Sequence, residues 1–357
     1  MNPRILDKEA VAPMVDSLLS DYAQREGTVI GPQAKGPQFV LSPILDPAEV
    51  RLDYNTSILP PKVVLQPPHE QIAVFHLEDE PTVEPVIDAK PTVILGVHTC
   101  DLQAFRLLDR AFTGNFPDEH YLERRRQTRV ISIECLEPCD ENSFCKDMGT
   151  LTADDGYDLH LIELGDAYLV QIGTEAGKEL LDRHAETRHA TDDDLRRLSQ
   201  VLSGKWPRFR NRLEFNADEL PALLASAYDH PIWDELGERC LACGSCTIVC
   251  PTCFCFNVTD SMSLDQTEAV RARCWDSCQL DEFARVASGE NFREARSARQ
   301  RHRFLRKGKW LREHYGALGC VGCGRCIRTC LVHINIVDCL NAIHGNGAGL
   351  RRASVKR

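Results

Sequence analysis

The chain has 357 residues, of which 43% are hydrophobic and 27% charged, and this composition is typical of a folded globular protein and excludes general disorder. Its formal net charge of −11 argues against a protein whose main role is nucleic-acid binding. No apolar run approaches the roughly 18 residues that a membrane span needs, and the N-terminus lacks the apolar core of a signal peptide, so we expect a cytoplasmic protein without a membrane span.

The first ninety residues mix short apolar runs with proline, as in Leu59–Pro68, which is typical of extended segments and turns. We assign no chemistry to them. The β-branched run Pro91–Val97 predicts a strand that is covered on both faces. Asp101 is a candidate N-cap for a helix over Leu102–Phe112, where apolar residues recur at helical spacing.

A second strand is predicted over Arg129–Ile133, and Cys135 follows it. Strand, helix and strand in this length form a right-handed unit whose two strands are parallel neighbours. Because both strands then end at the same edge of the sheet, we expect Cys100 and Cys135 to lie close together.

The rest of the first part is predicted as a β-hairpin followed by helices. Asp158–Leu164 and Ala167–Ile172 flank Gly165 and Asp166, a pattern that favours a hairpin. From about Thr174 the pattern is helical, and Lys205–Leu220 is the expected join between domains. Beyond it we expect helical, arginine-rich spacers with little strand character.

Seventeen cysteines are unusual for a reducing compartment, where clustered thiols indicate metal or redox chemistry. Residues 240–250 and 320–330 each have the C-x2-C-x2-C-x3-C spacing of bacterial ferredoxins, in which the fourth cysteine ligates the other cluster. We therefore predict two [4Fe-4S] clusters. Their expected ligands are Cys240, Cys243, Cys246 and Cys330 for one, and Cys320, Cys323, Cys326 and Cys250 for the other.

The alternative for these eight thiols is zinc, because two CxxC pairs can form a tetrahedral site of four thiolates. Two complete four-cysteine runs favour clusters, although Leu331 stands where ferredoxins have proline. The long spacer between Cys250 and Cys320 favours an α-helical ferredoxin domain over a small two-hairpin one.

The predicted fold class is therefore α+β. We expect an N-terminal α/β domain with a mixed sheet over residues 1–215, an α-helical ferredoxin domain with two [4Fe-4S] clusters over 216–345, and a flexible basic tail over 346–357.

The remaining cysteines are less constrained by spacing. A third [4Fe-4S] cluster is the working hypothesis for Cys100, Cys135, Cys139 and Cys145, with buried thiols or another metal as alternatives. Packing beside apolar residues and metal ligation both remain open for a further set, and Cys339 is expected to be simply buried. That further set is Cys253, Cys255, Cys274 and Cys278.

The segment Arg293–Arg312 contains nine basic residues. It is either a solvated basic helix, a stabiliser of anionic clusters or a docking surface for an acidic partner.

At these motifs the sequence resembles the beta subunit of cytoplasmic [NiFe] sulfhydrogenases, also called hydrogenase/sulfur reductases. More distantly it resembles the iron–sulfur A subunit of anaerobic sulfite reductase. The likeness covers most of the chain, and motifs outside the ferredoxin runs make it specific. It is carried by Asn55–Lys62, Gly96–Asp101, Cys135–Cys145, Ala153–Gly156, Cys250–Cys255, Trp275–Cys278, Gly289–Arg293 and Cys320–Cys326.

The resemblance implies an electron-transfer subunit without a catalytic centre of its own. Its expected partners are a flavin- and NAD(P)-binding subunit and the small and large [NiFe] hydrogenase subunits. The alternatives are the corresponding subunit of an anaerobic sulfite reductase, or an iron–sulfur sensor or structural protein. A sensor usually carries an output module such as a helix-turn-helix, and none is evident in this sequence.

Overall fold

The computed structural model of the protein describes residues 2–78 and 80–345, so the predicted basic tail 346–357 lies outside the described residues. The strands are β1 (Arg4–Asp7), β2 (Thr28–Lys35), β3 (Gln38–Pro43), β4 (His69–His76), β5 (Thr82–Pro85), β6 (Thr92–His98), β7 (Thr128–Ile133), β8 (Leu159–Glu163), β9 (Ala167–Ile172), β10 (Arg188–His189), β11 (Phe256–Met262) and β12 (Glu268–Trp275).

Helices occur in both halves of the chain, and a π-helical segment, Arg306–Trp310, joins α10 to α11. The α-helices are α1 (Val11–Gln24), α2 (Lys62–Leu65), α3 (Thr99–Phe112), α4 (Glu119–Gln127), α5 (Glu175–His184), α6 (Asp192–Lys205), α7 (Leu220–Ser226), α8 (Ile232–Arg239), α9 (Ser245–Ile248), α10 (Arg296–Leu305), α11 (Leu311–Tyr315), α12 (Arg325–Arg328) and α13 (Ile336–His344).

The central sheet is mixed and has the strand order β10-β1-β9-β8-β7-β6-β2-β3. Its middle strands β2, β6, β7 and β8 are parallel, and the strands outside them pair antiparallel. The predicted unit of β6, α3 and β7 is confirmed, since the two strands are parallel neighbours. The predicted hairpin is also confirmed as β8 and β9.

Apolar side chains cover the central sheet on both faces. Val93 and Leu95 of β6 pack with α1 and α5, whereas Ile94 and Val97 pack with α3. Val93, Ile94 and Leu95 alternate with the two-residue period of a strand. The strand is irregular at Gly96, where φ is 79° and the register with β7 shifts, so Val97 packs on the same face as Ile94. Every residue of β6 is buried, as its continuous apolar sequence predicts.

The extended reading of the first ninety residues is wrong for α1. Met14, Val15, Leu18 and Tyr22 lie on one buried face of this helix, at helical spacing. Pro13 falls in the first turn, where a missing backbone N–H costs no intrahelical bond. Proline is therefore compatible with this helix.

The expectation of little strand character beyond residue 220 is also wrong. Strands β11 and β12 form an antiparallel hairpin, and β12 pairs with β4 in a second sheet of order β11-β12-β4-β5. This sheet joins strands from both sides of residue 215. The domain boundary proposed there stays a prediction.

The C-terminal helices enclose a separate apolar core. It contains Leu224 of α7, Leu236 of α8, Phe304 of α10 and Leu340 of α13, and Phe144 from the N-terminal part joins it. In the described part of the chain, no helix is long and apolar enough to cross a membrane.

Candidate metal centres

The two ferredoxin-like runs have the same local structure. Gly244 and Gly324 precede the short helices α9 and α12 with φ angles of 76° and 74°, and Ala242 and Gly322 also adopt positive φ. These left-handed residues turn the backbone sharply between successive cysteines. Each run is therefore a tight loop whose first three thiols face a common side.

Each run lines a cavity together with the last cysteine of the other run. The first cavity is lined by Cys240, Cys243, Cys246, Cys326 and Cys330. The second is lined by Cys246, Cys250, Cys320, Cys323 and Cys326. The structure thus brings together the two quartets that the spacing predicts, and ligation by them stays a prediction. In residues 2–78 and 80–345, no group of three His, Cys, Asp or Glu side chains has the geometry for one metal ion.

Burial holds four of these eight thiols, Cys246, Cys320, Cys323 and Cys326, in their neutral form when they are free. It raises the pKa of Cys246 and of Cys323 to about 12, and raises the pKa of Cys320 further. Cys243 and Cys250 differ, because hydrogen bonds with Ser245 and Cys253, respectively, lower their pKa values. Coordination to iron removes the proton from a thiol, so iron converts these buried groups into anions.

Two buried cations face the sulfurs of both quartets. Arg303 lines both cavities and Lys307 lines the second, and they are 4% and 6% exposed. Burial alone would lower their pKa values, but the neighbouring sulfurs, Cys246 first for Arg303 and Cys250 first for Lys307, raise both above their ordinary values. Within the described residues, neither cation has a carboxylate at salt-bridge distance.

A buried charge is costly unless an opposite charge compensates it. Neutral thiols supply no such charge, whereas thiolates bound to iron do. The donor set around Arg303 and Lys307 therefore fits an anionic iron–sulfur cluster in each cavity. The basic segment has two faces, because Arg299, Arg303 and Lys307 are buried at helical spacing, whereas Arg296 is exposed and Arg301 is half-buried.

The four cysteines of the N-terminal part also converge. Cys100 lies in the first turn of α3, and Cys135 follows β7 and accepts a hydrogen bond from Thr99 Oγ1 at 3.6 Å. Burial raises the pKa of Cys135 to about 11 and of Cys145 to about 12. Cys139 is close to both, since after burial their sulfurs are the next causes of its raised pKa. The prediction that Cys100 and Cys135 meet at one edge of the sheet is confirmed.

This third group of thiols adjoins the second ferredoxin-like run. The backbone N–H of Phe144 donates to the carbonyl of Gly322 at 2.7 Å, and Cys323 belongs to the same apolar cluster as Cys100 and Cys145. A Cβ atom at Gly322 would lie 2.6 Å from the backbone of Phe144 and Cys145. The close approach therefore requires glycine at this position.

Asp101 is not the helix cap that the sequence predicts. The N-cap position belongs to His98, and Asp101 is fully buried inside the first turn of α3. Its carboxylate accepts two hydrogen bonds from the buried Arg325 guanidinium, at 2.6 and 2.8 Å. The Arg325 side chain also donates to Ser57. Since Arg325 stands between Cys323 and Cys326, this ion pair ties the third group to the second run.

Sequence reasoning missed the contribution of the first ninety residues to these sites. Lys62 is buried, its Nζ lies 4.1 Å from the centre of the Trp275 ring, and it donates to the carbonyl of Cys253. Burial lowers its pKa, and the sulfurs of Cys253 and Cys250 act against that shift. The signal that could have found Lys62 is its place in the motif Asn55–Lys62, which carries the family resemblance.

The remaining cysteines fall into different environments. Cys253 contacts Cys250, and Cys255 contacts Cys278. Cys274 lies on β12 with its sulfur directed to the carbonyl of Asn257 at 3.9 Å. Cys339 is buried in the C-terminal apolar core, as expected.

Comparison with known proteins agrees with this arrangement. Residues 239–334 match the family described as a 4Fe-4S dicluster domain. Over 316 residues the chain is 35% identical to sulfhydrogenase 2 subunit beta of Pyrococcus furiosus, and the match covers 87% of the chain and 92% of that protein. The chain belongs to the sulfhydrogenase beta-subunit family.

As a member of the sulfhydrogenase beta-subunit family, the chain is an iron–sulfur protein with a dicluster domain for [4Fe-4S] clusters. No solved structure matches it significantly. Its α+β class with a mixed sheet is as predicted.

Proposed function

We propose that this chain is the electron-transfer subunit of a [NiFe] hydrogenase/sulfur reductase complex. It passes single electrons between a flavin- and NAD(P)-binding subunit and the hydrogenase subunits. A bound [4Fe-4S] cluster supplies one-electron transfer with little change of shape. The chain itself holds the clusters, shields them from water and sets their electrostatic surroundings.

The proposed ligands form three quartets. The first is Cys240, Cys243, Cys246 and Cys330, the second Cys320, Cys323, Cys326 and Cys250, and the third Cys100, Cys135, Cys139 and Cys145.

The observation that carries the proposal is the spatial succession of these quartets. The first and second cavities share Cys246, Cys326 and Arg303 in their walls. The third quartet adjoins the second through the backbone contact of Phe144 with Gly322. At one end of the series Cys243 is exposed, whereas Cys100 and Cys145 at the other end are buried. Such an order suits a protein that conducts electrons from its surface through its interior.

The partner assignment is tested by isolating the tagged chain with its natural complex under anaerobic conditions. We expect flavin and nickel in the complex, together with hydrogen-dependent reduction of NAD(P) or sulfur. A complex without nickel that reduces sulfite would contradict the hydrogenase assignment and favour the sulfite reductase alternative. A chain that purifies with clusters and without redox partners would favour a sensor.

The third cluster is tested separately by Cys100→Ser and Cys135→Ser. Each variant should lose about four of the iron atoms bound per chain. Cys339→Ser, which removes a buried thiol outside the three quartets, is the matched control and should keep its iron. Unchanged iron content in both N-terminal variants, purified without oxygen, would rule out the third cluster.

A further inference from the structure

Cys255 and Cys278 form a thiol pair outside the three quartets. Strand β11 begins at Phe256 and β12 ends at Trp275, and these two residues are opposite each other in the hairpin. The backbone N–H of Asp276 then donates to the carbonyl of Cys255 at 3.0 Å. The end of the hairpin thus fixes the backbone on both sides of the pair, and the two thiols are in hydrogen-bonding contact.

The surroundings of the pair favour a thiolate at Cys278. The Cys255 thiol donates to Cys278, which lowers the pKa of Cys278 and raises that of Cys255. Gln279 Nε2 also donates to the Cys278 sulfur at 3.5 Å, and Arg303 and Lys307 lie nearby. A thiolate beside a second thiol is the arrangement that thiol–disulfide chemistry uses.

The pair differs from the cysteines of the quartets. Cys255 and Cys278 line neither of the two cavities, and they contact each other directly. Cys274 is directed to the carbonyl of Asn257, so it does not complete a cluster of ligands with them. Direct contact of two sulfurs suits a disulfide better than it suits an iron–sulfur cluster between them.

The pair also adjoins the first quartet. Ser277 Oγ lies 2.6 Å from Thr247 Oγ1 of the first run, and a Cβ atom at Gly244 would lie 3.0 Å from Ser277. The Cys278 sulfur is close enough to Cys246 to affect its pKa. Electrons leaving the pair therefore have a short path to the quartet that contains Cys246.

We propose that Cys255 and Cys278 are a redox-active dithiol that closes to a disulfide and exchanges two electrons with the adjacent iron–sulfur site. This inference rests on the proposed function for its electron acceptor. On closure the Cys255 S–H bond breaks and releases one proton, one S–S bond forms between the Cys255 sulfur and the Cys278 thiolate, and two electrons pass one at a time to the adjacent iron–sulfur site. Reduction reverses each change. Each [4Fe-4S] cluster carries one electron at a time, whereas hydride transfer at NAD(P) involves two. The dithiol pair would let the chain store both of these electrons.

The first test detects the disulfide directly. The anaerobic wild-type chain is equilibrated in dithiothreitol buffers of increasing oxidised fraction, quenched in acid, alkylated and digested for mass spectrometry. We expect a peptide that links Cys255 to Cys278 to appear as the buffer becomes more oxidising, while the iron content stays constant. Both thiols alkylated across the whole range would overturn the proposal.

The second test uses Cys255→Ser and Cys278→Ser. Each should retain the wild-type iron and sulfide and accept about two fewer electrons per chain in a reductive titration. Cys274→Ser is the matched control and should accept the wild-type number. Loss of iron from either pair variant would overturn the proposal, because it would make that residue a cluster ligand.

The experiments distinguish failure of the dithiol proposal from failure of the proposed electron-transfer function. The linked peptide is formed by the chemical buffer whether or not the chain is an electron-transfer subunit. The absence of cluster signals in the wild-type chain would instead remove the proposed function.

Discussion

Three buried cations, Lys62, Arg303 and Lys307, face sulfur atoms, and no carboxylate of the described residues pairs with them. Residue patterns alone do not predict this, because a basic residue in an amphipathic helix is usually solvated. The cysteine sulfurs that face these cations come from distant parts of the chain. The sulfurs become negatively charged only when the thiols lose their protons. The grouping of the eight C-terminal thiols into two quartets, by contrast, is predicted by their spacing in the sequence.

Arg303→Gln should lower the reduction potentials of both clusters of the dicluster domain. A positive charge stabilises the more negative, reduced state, so its loss makes reduction harder. Across a partly screened interior we expect a shift of roughly 50 to 100 mV. Redox titration followed by EPR measures this shift in potential. Arg303→Lys keeps the positive charge and should have potentials close to those of the wild type.

Arg301→Gln is the control for this change, because Arg301 lies on the same helix, lines neither cavity and contacts Tyr228. The reduction potentials of the clusters in the Arg301→Gln variant should equal those of the wild type. Equal potentials in Arg303→Gln as well would refute the electrostatic role of Arg303.

Asp101→Asn should destabilise the fold by about 3 kcal/mol, because it leaves the Arg325 guanidinium buried with only neutral partners. The measurement is the midpoint of anaerobic urea denaturation. Asp155→Asn breaks an exposed ion pair with Arg106 and should cost less than about 1 kcal/mol. Similar midpoints for the two variants would contradict the importance of the buried pair.

At the scale of elements, local patterns predict strands and helices whose partners are near in sequence. The unit of β6, α3 and β7 and the hairpin of β8 and β9 are of this kind. Strand β12 is different, because it pairs with β4, which lies nearly two hundred residues earlier in the chain. Val270 of β12, for example, is opposite Val74 of β4. Such pairing depends on tertiary contacts that a local pattern does not contain.

Gly322→Ala should displace the segment around Phe144 and Cys145, because the added Cβ atom would clash with its backbone. We expect loss of the third cluster, about one third of the iron, with the first cluster retained. Iron analysis and EPR of the purified variant measure this effect. Ala242 is the corresponding residue of the first run and already has a positive φ of 54°, so Ala242→Gly is the control. Full iron content in Gly322→Ala would show that the segment holds no cluster.

At the scale of the molecule, residues from both halves of the chain build the metal centres. Phe144 belongs to the C-terminal core, and Arg325 pairs with Asp101 of α3. The sequence predicts the quartets by spacing and by strand order, but it does not predict these cross-connections. Their consequence is that the sites and the association of the two halves stabilise each other.

Removal of iron should therefore loosen the protein around the sites before it affects the central sheet. Without iron, burial keeps Cys246, Cys320, Cys323 and Cys326 protonated, so Arg303 and Lys307 stay buried with fewer negative sulfurs around them. Hydrogen exchange after anaerobic chelation should increase in α10 and in residues 135–145, and remain slow in β8 and β9. A uniform increase would show that the clusters stabilise the whole molecule equally.

In the proposed function, thiols from distant segments hold iron–sulfur clusters that conduct electrons. Its most direct test is iron and acid-labile sulfide analysis of the anaerobic wild-type chain, combined with EPR during stepwise reduction. We predict about 12 iron atoms and 12 sulfides per chain and spectra of magnetically interacting clusters. A chain with its full content of free thiols, and with neither iron nor labile sulfide, would contradict the proposed function.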